Sequence, residues 1–402
     1  MPAHLDHCGR LPLLAKRGFR GEIICTAASR ELARLVMLDA AHLSEEEAAR
    51  AARHAHHGTT LASRAPLYTI ADALNVLDFF GRTAAYDEPL ELAPGIEATF
   101  LDAGHILGSA SLLIEAKEAG ARRRIGFSGD IGNAGRPLLR APSAPANVDA
   151  VVMETTYGDR LHKPIGASVE ELYGAVGRTL QGGGNVIIPT FALERAQELL
   201  LYLKSGVEAG RLPQQMQVFL DSPMAISATA IYERHPECYG PATRELFRGG
   251  RDPFAVPGLH LTRQTADSIA LNRIQGGAVI MAGSGMCTGG RVRHHLKHNL
   301  GRNNCAVVFV GYAAQGTPAR RIIDGAPSVT LLGEEVPVRA RVYTINGFSA
   351  HADQAELLQW HGQTGAKRTF LVHGDAEVMR RFAARLQGTE VQLPEPHQAF
   401  TL

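Results

Sequence analysis

The chain begins with a His-x-Asp-His run, His4-Leu5-Asp6-His7, which places two imidazoles and a carboxylate within four positions. That density is donor chemistry for a divalent metal. Imidazole with carboxylate suits zinc or another borderline ion, and neighbouring Asp and His can face opposite sides of a loop and serve two ions. The same run also suits a polar surface turn. More polar groups end apolar runs downstream: Gly104-His105 after 96–101, Gly129-Asp130 after 124–127, and Glu154-Thr155-Thr156-Tyr157-Gly158 after 150–153. Ligands of α/β sheets gather beyond the carboxyl ends of strands, so these ends predict one shared site.

The elements that must position these groups read as follows. A short helix is predicted over 11–17 and a strand over 22–25. A helix over 29–42 would take Ser29 as N-cap, and Ser44-Glu45-Glu46-Glu47 fits a capping box opening a second helix. That helix ends in His54-Ala55-His56-His57-Gly58, read as a solvated polar face because no carboxylate interleaves the histidines. Another amphipathic helix is expected over 70–80.

From about 160 to 345 helices and short apolar strands alternate: strands at 185–188, 217–220, 278–281 and 306–310, helices at 169–180 and 193–203. This is the pattern of a doubly wound parallel sheet. Its glycines concentrate in Gly283-Ser284-Gly285-Met286-Cys287-Thr288-Gly289-Gly290-Arg291, between a strand and a helix over 292–299. Such a loop suits a phosphate or a plain tight turn. Beyond 345, Ser349-Ala350-His351-Ala352-Asp353 and Val372-His373-Gly374-Asp375 each follow an apolar strand and precede a helix, predicted over 354–361 and 376–386.

At 402 residues, 45% hydrophobic and 20% charged, the chain can build two domains with substantial cores. A net charge of +1 argues against a polyanion-coated surface but leaves room for a basic cleft that binds nucleic acid. Five scattered cysteines without a CxxC pair indicate neither a disulfide framework nor a thiolate zinc site, and predict a reducing, cytoplasmic setting. No apolar run reaches membrane-spanning length, so no membrane partner is expected.

Taken in order, HLDH (4–7), GH (104–105), GD (129–130), ETTYG (154–158), SAHAD (349–353) and VHGD (372–375) resemble the motif series of the metallo-β-lactamase superfamily. The interrupted arrangement resembles its β-CASP branch, the RNA-processing nucleases related to the cleavage-and-polyadenylation endonuclease. PTFALER (189–195), DSPM (221–224) and the 284–291 loop are similar to further family signatures.

The resemblance implies an α/β fold, a metallo-β-lactamase αββα sandwich over 1–156 and 346–402 with a β-CASP domain inserted at 157–345. It implies two zinc ions, His4 and His105 binding one, Asp6, His7 and His373 the other, and Asp130 bridging. Such a pair would share a hydroxide, oriented by Asp6, that attacks an RNA phosphodiester. His351, hydrogen-bonded to Glu154, would protonate the leaving oxygen, and Ser284, Thr288 and Arg291 would hold a backbone phosphate. The product would carry a 5′-phosphate and leave a 3′-hydroxyl, by endonucleolytic or 5′-to-3′ exonucleolytic action. RNA is the implied partner, and a homodimer is left open.

Two departures qualify this. The family's HxHxDH motif has its first histidine where this chain has Pro2, which removes one zinc ligand. The strands that precede that motif in the family are also missing ahead of Met1, which predicts a frayed metal loop, an exposed sheet edge and impaired activity. A misassigned start or a shortened product would each account for this. Two alternatives stand beside the ribonuclease: a small-molecule metallo-hydrolase with a closed pocket, and a non-catalytic RNA-binding paralogue.

Overall fold

In the computed structural model of the chain, residues 2–55 and 65–402 are described, residues 53–55 by backbone alone. His56-His57-Gly58 and the side chain of His54 therefore lie outside the described residues. The chain divides into two compact units, one of Met1–Ala134, Leu139–Arg160 and His351–Leu402, the other of Gly135–Leu138 and Leu161–Ala350. No described helix is long and apolar enough to cross a membrane.

The first unit is built on a seven-stranded sheet in the order Glu390–Gln392, Arg368–Val372, Ala150–Glu154, Ala121–Phe127, Ala110–Glu118, Ile96–Asp102, Pro89–Ala93. The first three pairings in that order are parallel and the rest antiparallel. Strand Ile96–Asp102 alternates buried and partly exposed positions, as expected where one face meets a core. Val151, Met153, Leu371, Leu357, Trp360 and Phe382 form one core cluster, and Ala84, Ala98, Phe100 and Ala110 another. A separate two-stranded parallel sheet joins Ile23–Cys25 to Phe80–Thr83.

The second unit carries a six-stranded sheet, all parallel, in the order Leu259–Leu261, Gln217–Leu220, Ala278–Ala282, Val186–Pro189, Ala306–Phe309, Arg341–Thr344. The runs VIIP, AVIMA and AVVF are buried at every position, because helices cover both faces of such a sheet. Ile187, Ile280, Val307 and Phe309 pack there against Leu296, Leu300 and Ile322.

Several local expectations are corrected. Residues 27–55 form one continuous helix, Ala27–Ala55, in place of two. Nothing between Leu43 and Glu47 breaks a helix, and the Glu45 carboxylate instead accepts the Ile70 N–H at the start of another helix. Ser29 is no N-cap: its hydroxyl donates to the Gly108 carbonyl, and Thr26 Oγ1 accepts the Ser29 N–H. The helix expected over 70–80 stops at Asn75 and continues as a 3-10 turn, Val76–Phe79. The hairpin of Ser328–Leu331 and Glu334–Pro337 escapes sequence reading because Leu332-Gly333 supplies its turn, both with positive φ, in place of the usual Asn-Gly signal.

Candidate metal centre

Four strands of the first unit, Ile96–Asp102, Ala121–Phe127, Ala150–Glu154 and Arg368–Val372, run in the same direction, as their pairings require. Their carboxyl ends therefore share one edge of the sheet. His105, Asp130, Glu154 and His373 sit at those ends, so residues up to 268 positions apart converge by topology alone. His4, Asp6 and His7 reach the same place from a helical turn, Leu5–Cys8, for which His4 is the N-cap residue. A helical turn thus stands where a loop is expected from the sequence.

Asp130 is the hub, and its side chain is 1% exposed. Its Oδ2 lies 3.1 Å from His7 Nε2, 3.4 Å from His105 Nε2 and 3.9 Å from His4 Nδ1, while Oδ1 lies 3.6 Å from His373 Nδ1. His4 Nδ1 and His105 Nε2 are 3.3 Å apart, and Asp6 Oδ2 stands 3.5 Å from His7 Nε2 and 3.3 Å from His373 Nε2. Two donor triads result, His4/His105/Asp130 and Asp6/His7/His373.

The donors fit divalent cations on two counts. Imidazole and carboxylate are the ligand types zinc takes. Further, His7 Nε2 and Asp130 Oδ1 are buried with no hydrogen-bond partner among the described residues, a cost that a shared cation removes.

The electrostatics agree. Burial alone would push Asp130 up, but the imidazoles of His4 and His7 beside it and the charges of His105 and His351 outweigh it and hold its carboxyl far below the usual range. Asp6 is also lowered, first by its hydrogen bond with His373. That bond in turn pushes His373 up to about 9. A site that holds protons on imidazoles beside ionised carboxylates is one where a cation displaces protons on binding.

His351 is placed by the loop of Asp130: Gly132 and His351 form an isolated antiparallel bridge, and the Ala352 N–H donates to the Ile131 carbonyl at 2.8 Å. Its Nδ1 lies 3.1 and 3.2 Å from the two Glu154 carboxylate oxygens. Burial would lower the His351 imidazole, but the Glu154 charge and hydrogen bond prevail and raise it. Glu154 also accepts the N–H groups of Ile131, at 2.6 Å, and Thr156, at 3.2 Å.

Sequence reading passed over the residues that shape these loops. A Cβ on Gly132 would come within 1.8 Å of the Gly104 carbonyl oxygen, so only glycine lets the loops of His105 and Asp130 close on each other. His373 has φ +50, a conformation a side-chain-bearing residue holds only when its surroundings impose it. Here the Thr155 N–H and the Thr156 hydroxyl both donate to the His373 carbonyl, and Thr156 Oγ1 lies 3.2 Å from His373 Nδ1. The two threonines of the ETTYG run are the signal in the sequence for this support.

The predicted phosphate-holding residues lie in the second unit. Ser284 Oγ and Thr288 Oγ1 are 3.4 Å apart, and Thr288 is exposed. Arg291 is turned inward: it donates to Asp221 Oδ1 at 2.7 Å and to the carbonyls of Thr262 and Arg263. Asp221, fully buried, also receives Ser268 and pairs with His295, so the DSPM aspartate ties down the glycine-rich loop. Glu194 and Arg195 of PTFALER are buried as well, within a charged network that includes Glu198 and Arg136.

Comparison with known proteins gives two family matches, to a "Beta-Casp domain" over residues 196–322 and to a "Zn-dependent metallo-hydrolase RNA specificity domain" over 335–394. The chain is 40% identical over 393 residues to Ribonuclease TTHA0252 of Thermus thermophilus, a match covering 97% of this chain and 84% of that protein. It is 31% identical over 392 residues to transcription termination factor FttA of Methanocaldococcus jannaschii and 32% over 384 to that of Methanosarcina mazei. These matches cover 95% and 93% of this chain but only 58% and 57% of the archaeal proteins.

Proposed function

The chain belongs to the β-CASP branch of the metallo-β-lactamase superfamily, a family of RNA-processing nucleases, and on that premise we propose that it is a zinc-dependent ribonuclease. The observation that carries the reading is the convergence of His4, Asp6, His7, His105, Asp130 and His373 on two donor triads at one sheet edge. Two ions held there would acidify an attacking water and neutralise the charge of a phosphodiester.

The protein's own groups do the rest. Asp6, an exposed carboxylate, orients the attacking water. With Glu154 accepting from His351 Nδ1, the mobile proton of that imidazole sits on Nε2, from which it passes to the departing 3′-oxygen. The fragments carry a 5′-phosphate and a 3′-hydroxyl. Ser284 and Thr288 offer hydroxyls to a backbone phosphate, and Arg291, paired with Asp221, holds their loop in shape. Pro2, buried and without a donor atom, leaves one triad short of the family's ligand, which weakens metal binding there and lowers activity.

The test is zinc stoichiometry together with cleavage of a 5′-labelled RNA. Expected are zinc-dependent cleavage that chelation abolishes, and higher zinc occupancy and rate in Pro2→His. Zinc-loaded protein that leaves RNA intact but hydrolyses a thioester or lactone would transfer the site to small-molecule hydrolysis. RNA binding with neither zinc nor turnover would make it a non-catalytic paralogue.

A further inference from the structure

Among the described phenylalanines, tyrosines and tryptophan, three are exposed: Phe191 at 45%, Tyr312 at 53% and Phe400 at 38%. Phe400 packs on Phe370 with ring centroids 4.8 Å apart. Phe191 and Tyr312 have no such ring partner among the described residues, and they line one surface notch of the second unit together with Pro189, Gly285 and Phe309.

Topology explains why they meet. Strand Val186–Pro189 is flanked by Ala278–Ala282 and Ala306–Phe309, all parallel. Phe191, Gly285 and Tyr312 lie in the loops that follow these three strands, at the edge where doubly wound sheets bind ligands. Gly285 lets one face of Phe191 rest on bare backbone, since a Cβ there would stand 2.8 Å from the ring. Exposing two large rings in one place forfeits burial that the core would reward, which marks the notch as a contact surface. Gly285 also belongs to the loop of Ser284 and Thr288, so the notch is continuous with hydroxyls suited to a phosphate.

We propose that Phe191 and Tyr312 form a stacking platform for a base of single-stranded RNA, one that adjoins the phosphate-holding loop. This rests on the ribonuclease reading and extends it by a base subsite in the second unit. Because every base presents a flat π-face, the platform tolerates sequence while rejecting a strand without bases.

The test measures binding of a short phosphorothioate oligoribonucleotide by fluorescence anisotropy, beside an abasic strand of equal length. Phe191→Ala and Tyr312→Ala should each weaken binding of the base-bearing strand about tenfold. Binding of the abasic strand should not change, and Phe191→Tyr and Tyr312→Phe should bind like the parent. Unchanged affinity in the alanine variants overturns the platform, as does equal loss on both strands. So does a shift in oligomeric state without loss of RNA affinity, which would make the notch an interface between copies. The two readings fail separately: a parent protein that binds the oligonucleotide but cleaves no RNA with zinc sinks the nuclease and leaves the platform, while one that binds no RNA sinks both.

Discussion

At the scale of single residues, Asp130 and Glu154 show how two buried carboxylates take different duties. Asp130 faces four imidazoles and leaves Oδ1 without a hydrogen bond among the described residues, which suits the metal-ligand role proposed for it. Glu154 is committed to two backbone N–H groups and His351, the condition of a residue that orients another. Yet Asp130, Glu154 and His351 also lie close enough to form a third donor triad. Glu154→Gln separates the two roles. It should leave zinc content unchanged and lower the cleavage rate by about a hundredfold or more, since it weakens the hold on the proton-donating imidazole. Loss of zinc in the same variant would show Glu154 to be a ligand.

At the scale of elements, the SAHAD run combines chemistry and architecture within five residues. His351 points to the centre, whereas Asp353 starts helix Gln354–Thr364: its side chain accepts the Ala355 and Glu356 N–H groups, and the Glu356 carboxylate accepts the Asp353 N–H in return. Glu356 also accepts the Ala134 N–H at 2.7 Å, tying this helix start to the loop that carries Asp130. Asp353→Ala should therefore destabilise the fold by about 1 kcal/mol in thermal or denaturant unfolding without changing zinc content. Zinc loss at full stability would make Asp353 part of the centre. Helix Ala27–Ala55 teaches the opposite lesson. A sequence that satisfies the capping-box rule at Ser44-Glu45-Glu46-Glu47 does not use it, because no residue there ends the helix that began at Ala27.

At the scale of the molecule, every donor of the two triads belongs to the first unit, although they come from separate stretches of the chain. Metal binding should therefore stabilise that unit selectively, by about 2.7 kcal/mol at free zinc one hundredfold above the dissociation constant. Hydrogen exchange with zinc against chelator checks this. Protection should grow in 1–134, 139–160 and 351–402, and equal gains in 161–350 would refute it. What the sequence determined by itself was chemistry and sheet type. Ligand-type residues at strand ends are local patterns, and VIIP, AVIMA and AVVF announce buried parallel strands because both faces of such strands are apolar. Only the tertiary structure decided which polar groups were spoken for. Sequence alone does not show that Asp221, seventy residues away, accepts from Arg291, and Gly132 reads as an ordinary loop glycine until the Gly104 carbonyl comes against it. Hydrogen bonds and close approaches between distant segments depend on how strands are ordered, and side-chain type and spacing carry no record of that order.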